Sequence, residues 1–214
     1  MFLIREDSER IIKLIFIMEL EHYRFMRIVY MKLKCNIFLT GILGLLVLYV
    51  CIFTSIALSP WFSWSKYALS DLGHSAKSIV APIFNLGLVA GGFLIYQYSI
   101  SILKHSKMIT YYFLALSAFL LMLIGVFDEV YGILHFIVSV AFFITALSAT
   151  LIYAYERKSK VAVVAFIIGI CSWTIYGLKV FEIGISVPEI LSAFAVTSWI
   201  IEDVYLQSKL LRLE

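Results

Sequence analysis

Ser70, Asp71, Gly73 and His74 stand together in a polar stretch of an otherwise apolar chain, SPWFSWSKYALSDLGHSAKSIVAPIFN over residues 59–85. Asp128 and Glu129 form a second acidic pair, with His135 six residues further on. A carboxylate three residues before an imidazole shares its face if the segment is helical, as Asp71 and His74 would. His135 and Ser139 have the same relation at a spacing of four. Three chemistries fit these residue types. Asp71, Asp128 and His135 are candidate ligands for a divalent metal, since nitrogen and oxygen donors of this kind suit zinc or a related ion. Ser70, with Asp71 beside it or His135 as base, is a candidate nucleophile, and Ser70, Asp71, Asp128 and His135 are the catalytic candidates of a lipid head-group hydrolase. The third reading is binding without reaction, with Asp71, His74, Asn85, Asp128, Glu129 and His135 as ligand-binding candidates. Against all three stands a structural clasp, in which the same groups only tie loops together; perturbed polar clusters often prove structural.

The surroundings bound these options. Of 214 residues, 63% are hydrophobic and 14% charged, and the mean hydropathy is +1.00. A water-soluble domain of this length has too little interior for that apolar content. A bilayer-spanning helix needs roughly 20 predominantly apolar residues, and the chain repeats such runs. Six spans are predicted, at about 36–58, 80–103, 108–126, 133–155, 161–178 and 187–206. The short connections force sequential helices to lie antiparallel. The expected fold is therefore all-α, a polytopic up-down transmembrane bundle of six helices over residues 35–208. An amphiphilic, helical, cytoplasmic segment precedes it over residues 1–34. That segment has two readings: an interfacial helix, or a stretch outside the functional fold, Met31 with Lys32 and Lys34 being a natural start. It lacks the pattern of a secretory signal.

Lys32, Lys34, Lys104, Lys107, Arg157, Lys158, Lys160, Lys209 and Arg212 fall at one end of such a bundle. Lys66, Lys77 and Lys179 fall at the other, with Asp71, Asp128, Glu129, Glu182 and Glu189. By the positive-inside rule both termini are cytoplasmic and the acidic loops face outward, in a multi-pass protein of the cell membrane. The net charge of +3 is modest and the basic residues are topology signals, so nucleic acid is not an expected partner. Membrane lipids are, and a homo-oligomer is left open. Cys35, Cys51 and Cys171 have no finger spacing, which excludes a structural zinc ribbon. Trp61, Phe62, Trp64 and Tyr67 read as an interfacial anchor, a short helix lying on the outer surface. Gly87 and Gly91 form a GxxxG pair that lets helices approach closely. Glu202 and Asp203 read as the water-exposed end of span six, with a proton or ion path as the alternative.

Taken together, SDLGH at residues 70–74, APIFN at 81–85, GVFDE at 125–129 and the following His135 resemble an archaeal and bacterial membrane family, domain of unknown function 998 (DUF 998). The similarity covers about residues 31–206, and the matching positions are Ser70, Asp71, Gly73, Pro82, Asn85, Asp128 and His135. It departs at Phe127, where the family often has proline. More remotely the pattern is similar to the six-span Frag/DRAM/Sfk group. The resemblance implies six spans with cytoplasmic termini and no established reaction. The remote group implies a link to lipid and GPI-anchor remodelling or to membrane organisation.

Overall fold

The computed structural model describes residues 38–213 and, before them, Glu21, which is helical and exposed. The amphiphilic segment expected over residues 1–34 otherwise lies outside the described residues, as does Cys35. Among the described residues from Phe38 on there are six helices and no strand: α1 (Phe38–Ala57), α2 (Ala81–Leu103), α3 (Thr110–Val126), α4 (Ile133–Arg157), α5 (Lys160–Gly177) and α6 (Ser186–Leu213). Two short 3₁₀ turns, Ser70–Gly73 and Glu129–Tyr131, stand in the connections at one end. That end is called here the Asp128 end and the opposite one the Asp203 end.

Helices α1, α2, α4 and α5 are long and apolar enough to cross a membrane. Helix α3 is as apolar but has 17 residues, close to the minimum of about 17 needed to span. Helix α6 is long enough but carries Glu189, Glu202 and Asp203. The bundle is inside out by the standards of a soluble protein. Leu46, Val50, Leu86, Phe136, Ile144 and Ile167 each expose more than half of their surface. A continuous apolar exterior of this kind calls for lipid as solvent.

The interior forms two apolar clusters. One, toward the Asp203 end, gathers Tyr98, Tyr111, Tyr153, Trp199 and Val204. The other, toward the Asp128 end, gathers Leu48, Phe84, Leu88, Leu121 and Val138, and takes Leu69 and Leu72 from the first connection. Leu72 is fully buried, so the first loop folds back as a plug over the helix ends. Each turn is fixed locally. Pro82 occupies the first turn of α2, where its missing N–H has no partner to lose. Ser159 caps α5 by accepting from the Ala162 N–H at 3.0 Å, and the Asp128 side chain caps the 3₁₀ turn through the Val130 N–H at 2.9 Å.

The GxxxG pair brings α1 against α2. A Cβ at Gly87 would overlap Cys51, and one at Gly91 would stand 2.9 Å from Leu48 Cβ and 3.0 Å from the Gly44 carbonyl. The aromatic group of the first connection does not form the expected surface helix. Residues 60–67 run through turns and unstructured backbone, held by ring contacts from Trp61 to Tyr67 and from Phe62 to Trp64. Their outer edges remain exposed at Trp61 and Trp64. The carbonyls of Trp64 and Tyr67 accept from Gly184 N–H and Ser186 N–H at 3.0 and 3.2 Å. The stretch is thereby spent on bracing the start of α6 rather than on a helix of its own.

Gly87→Leu is expected to lower stability by about 1–3 kcal/mol or more, because the α1 backbone must move to admit the side chain. Gly177→Ala, where an added Cβ meets nothing within 4 Å, is the control and leaves the thermal midpoint of the detergent-solubilised protein unchanged.

Candidate functional site

The Asp128 end brings three connections together through polar side chains. Ser70 Oγ donates to Glu129 Oε1 at 2.6 Å. The same oxygen lies 3.5 Å from His135 Nε2, which also lies 3.4 Å from Ser139 Oγ. His135 Nδ1 is 2.8 Å from the Phe127 carbonyl. With Nδ1 protonated to serve that carbonyl, Nε2 accepts from Ser139; a second proton would let it pair with Glu129. The Leu69 N–H donates to Glu189 Oε2 at 2.7 Å, which ties the first loop to α6. The Ser75 N–H reaches Asp128 Oδ2 at 3.3 Å, which ties it to the α3–α4 connection.

The other predicted residues serve their own loop. Asp71 Oδ2 accepts from the Ala68 N–H at 2.8 Å, three residues earlier. Asn85 donates from Nδ2 to the Gly73 carbonyl at 2.8 Å, pinning the loop to the first turns of α2. His74 faces Asp128 electrostatically, and its buried Nδ1 has no hydrogen-bond partner. Glu182 is exposed on the third connection. The structure thus gathers Ser70, Glu129, His135 and Ser139 in one chain of contacts. Asp71, Asp128 and Asn85 are placed around it as loop fasteners. Asp128 and Glu129 are adjacent, and the cap that Asp128 makes turns Glu129 toward the histidine.

This geometry bears on the chemistry. Among the described residues, no three His, Cys, Asp or Glu side chains are close enough to share a metal ion. The candidate trio Asp71, Asp128 and His135 engages separate partners instead. A nucleophile triad needs the histidine between the serine and the carboxylate. Here the carboxylate of Glu129 lies between Ser70 and His135, and Ser70 donates to it directly. What the cluster can do is hold loops, and present Glu129, 29% exposed, to a donor from outside.

Burial by itself would raise the Asp128 carboxyl. The Ser75 hydroxyl, the Val130 and Ser75 N–H groups and nearby His74 outweigh it and hold the group below its ordinary 3.8. Hydrogen bonds to the ionised form act in this direction.

A second polar knot closes the Asp203 end, and it corrects the reading of Asp203 as a water-exposed residue. Asp203 has no exposed surface. Tyr98 and Tyr111 donate to it at 2.7 and 2.8 Å, and Arg157 Nη2 stands 3.9 Å away. Gln207 Nε2 donates to the Tyr111 hydroxyl at 2.9 Å. Glu202 accepts from Ser159. Glu156 takes the Ile109 and Thr110 N–H groups at 2.8 and 3.1 Å, capping the start of α3. The signal that marks this knot in the chain is a pair of tyrosines inside apolar spans, Tyr98 and Tyr111, on helices whose ends lie beside the charged residues. A buried phenol needs an acceptor.

The family model described as Protein of unknown function (DUF998) matches residues 42–201. That stretch runs from α1 into α6 and includes both polar residues of the Ser70–Glu129 bond. No curated protein and no solved structure matches the chain.

Two outcomes are expected. Asp128→Ala lowers stability by about 0.5–2 kcal/mol at neutral pH, the usual cost of a lost cap. Because the folded-state carboxyl lies below its ordinary value, the stabilisation is present above that value and lost as pH falls through the lowered one. The wild-type advantage over Asp128→Ala in thermal unfolding therefore shrinks in acid and is constant from pH 6 to 8. Asp203→Leu strands the Tyr98 and Tyr111 hydroxyls in the interior at about 1–3 kcal/mol each. Thermal unfolding of Asp203→Leu, alone and combined with Tyr98→Phe and Tyr111→Phe, should show the triple variant recovering part of the loss.

Proposed function

The chain belongs to the family Protein of unknown function (DUF998), and we propose that this member works on lipid by binding rather than by chemistry, as a multi-pass protein of the cell membrane. Both termini are cytoplasmic and the Asp128 end faces outward. The clusters at Lys104 and Lys107, and at Arg157, Lys158 and Lys160, lie at the Asp203 end, and basic connections are retained on the cytoplasmic side. The observation that carries the lipid reading is the partly exposed Glu129 in contact with Ser70 and His135, on a connection at one end of the bundle. The cavities between the helices described here are lined by other residues, and Glu129 is reached from outside through its exposed part. Trp61, Trp64 and Tyr131 are exposed on connections at the same end, and such rings favour the bilayer interface. An acidic, hydrogen-bond-accepting surface selects a head group that brings donors, an ammonium or several hydroxyls. Asp71 and Glu129 both lie close enough to Glu189 to act on it electrostatically, so the three carboxyl groups share one patch.

A clasp without ligand is the second reading. It is favoured by the number of carboxylate oxygens already committed to loop N–H groups at Ala68, Leu69, Ser75 and Val130.

Thermal shift in detergent separates the two. Phosphatidylethanolamine added at saturating concentration is expected to raise the midpoint of wild type and not that of Glu129→Gln, whereas phosphatidic acid, which offers charge of the wrong sign, raises neither. Equal shifts in wild type and Glu129→Gln would leave the cluster a clasp. Sidedness is read with a cysteine-free background. Ser75→Cys is expected to react with a membrane-impermeant maleimide in intact cells, and Lys107→Cys only after permeabilisation; the reverse pattern would invert the topology.

A further inference from the structure

Helix α5 packs chiefly on α6 and less closely on α4, while α4 and α6 scarcely meet, leaving a crevice of about 400 Å³ between α4, α5 and α6. We propose that this crevice holds one acyl chain of a membrane lipid from the leaflet at the Asp128 end, with the Trp173 indole N–H donating to the lipid's ester carbonyl. This rests on the lipid-linked reading and names a site for it that lies apart from the loop cluster.

Three observations carry the assignment. The first is length. Along α5 the lining runs from Ala165 to Thr174, about 14 Å at the helical rise. That is close to half of the roughly 30 Å hydrocarbon core, the depth of one leaflet. The second is width. The walls carry small residues, Ala146, Ala165, Gly169 and Ala195, and the volume is that of a slender occupant. The third is the hydrogen-bond account. Four side chains of the lining carry polar atoms besides backbone. Thr150 Oγ1 donates to the Ala146 carbonyl and accepts from Trp199 at 2.8 Å. Thr174 Oγ1 donates to the Ile170 carbonyl. Ser192 Oγ meets Ser172 Oγ at 3.5 Å. Trp173 Nε1 is buried and has no partner, while its ring is held edge-on against Phe143 at 4.8 Å.

The unpaired donor lies toward the Asp128 end of the crevice. Trp173 is four residues before the end of α5 at Gly177, about 6 Å below the helix end. An indole N–H in that position supplies a donor, and an ester carbonyl has no donor of its own to compete with. The chain below it lies along the small-residue walls toward Thr150, where Trp199 and Thr150 close the floor by pairing with each other.

The experiment uses full-length protein in vesicles of phosphatidylethanolamine and phosphatidylglycerol with a trace of phosphatidylcholine bearing a mid-chain diazirine. After illumination, labelled positions are mapped by peptide mass spectrometry. Crevice residues Phe143, Leu147 and Gly169 are expected to label several-fold more than the exposed α1 residues Leu46 and Val50, which report ordinary surrounding lipid. Gly169→Leu, which fills the crevice, is expected to cut crevice labelling at least fivefold and leave α1 labelling unchanged. Trp173→Phe keeps the ring and removes the donor, and is expected to cut it at least twofold; it also decides the matter if Gly169→Leu does not fold. Crevice labelling no greater than that of α1, or unchanged in both variants, would overturn the proposal while α1 labelling still showed the protein in lipid. Cross-links from the crevice to a second copy of the chain would overturn it too. Absence of labelling on α1 as well would overturn the lipid reading as a whole.

Discussion

Hydrocarbon offers no hydrogen bonds, and the arrangement of this protein follows from that constraint. Every polar group carried into the bundle must find a partner inside the protein or stay near an end. The outward faces of α1, α2, α4 and α5 are therefore apolar along their length, with Leu46, Leu86, Ile144 and Ile167 exposed. Hydroxyls on the helices return to carbonyls three or four residues back, as Ser117, Thr145, Ser148 and Thr150 do. A few pair across helices between the ends, as Tyr49 with Thr197 and Trp199 with Thr150, and the carboxylates collect in two knots, one at each end.

The two knots solve the same problem with different materials. At the Asp203 end, a fully buried carboxylate is surrounded by phenols and an arginine carried on α2, α3 and α4. It crosses from helix to helix and fixes how their ends meet. At the Asp128 end the carboxylates mostly take backbone N–H groups of the loops. It fixes the loops over the helix ends and drives Leu69 and Leu72 into the core beneath. Between the knots, packing is a matter of small residues. Gly87 and Gly91 close α1 on α2. Where small residues face one another without closing, along α4 and α5, a crevice remains. The same choice of residue gives contact in one place and space in the other, because α2 lies flush on α1 while α5 leans on α6.

The loop cluster shows how little separates a site from a fastener. Ser70, Glu129 and His135 have the residue types of a hydrolase, but their order places the carboxylate in the middle. Order is a property of three dimensions. Two neighbouring acids, Asp128 and Glu129, are equivalent as residue types, and only the 3₁₀ turn decides that the first caps and the second faces the histidine.

What the chain by itself determined is the class of fold, and the reason is the strength of the signal. An apolar run of helical length has few alternatives in a chain of mean hydropathy +1.00, and proline at the start of α2 and α6 marks their first turns. The candidate loops were legible too, since polar residues between such runs are conspicuous: Ser70, Asp128, Glu129 and His135 all stand at one end of the bundle. Tertiary structure decided the rest. Asp203 looked like the wet end of a helix because a sequence carries no record of which neighbours arrive from other helices; Tyr98 and Tyr111, 105 and 92 residues away, enclose it. Glu189 looked like one more acid of an outer loop until the first connection folded back and placed the Leu69 N–H upon it, across 120 residues. The crevice beside Trp173 has no sequence signature at all, because it is a space left where α4, α5 and α6 meet without filling it. Local pattern reports what each segment prefers; which polar groups find each other, and where packing leaves a space, depends on the angle at which those segments meet.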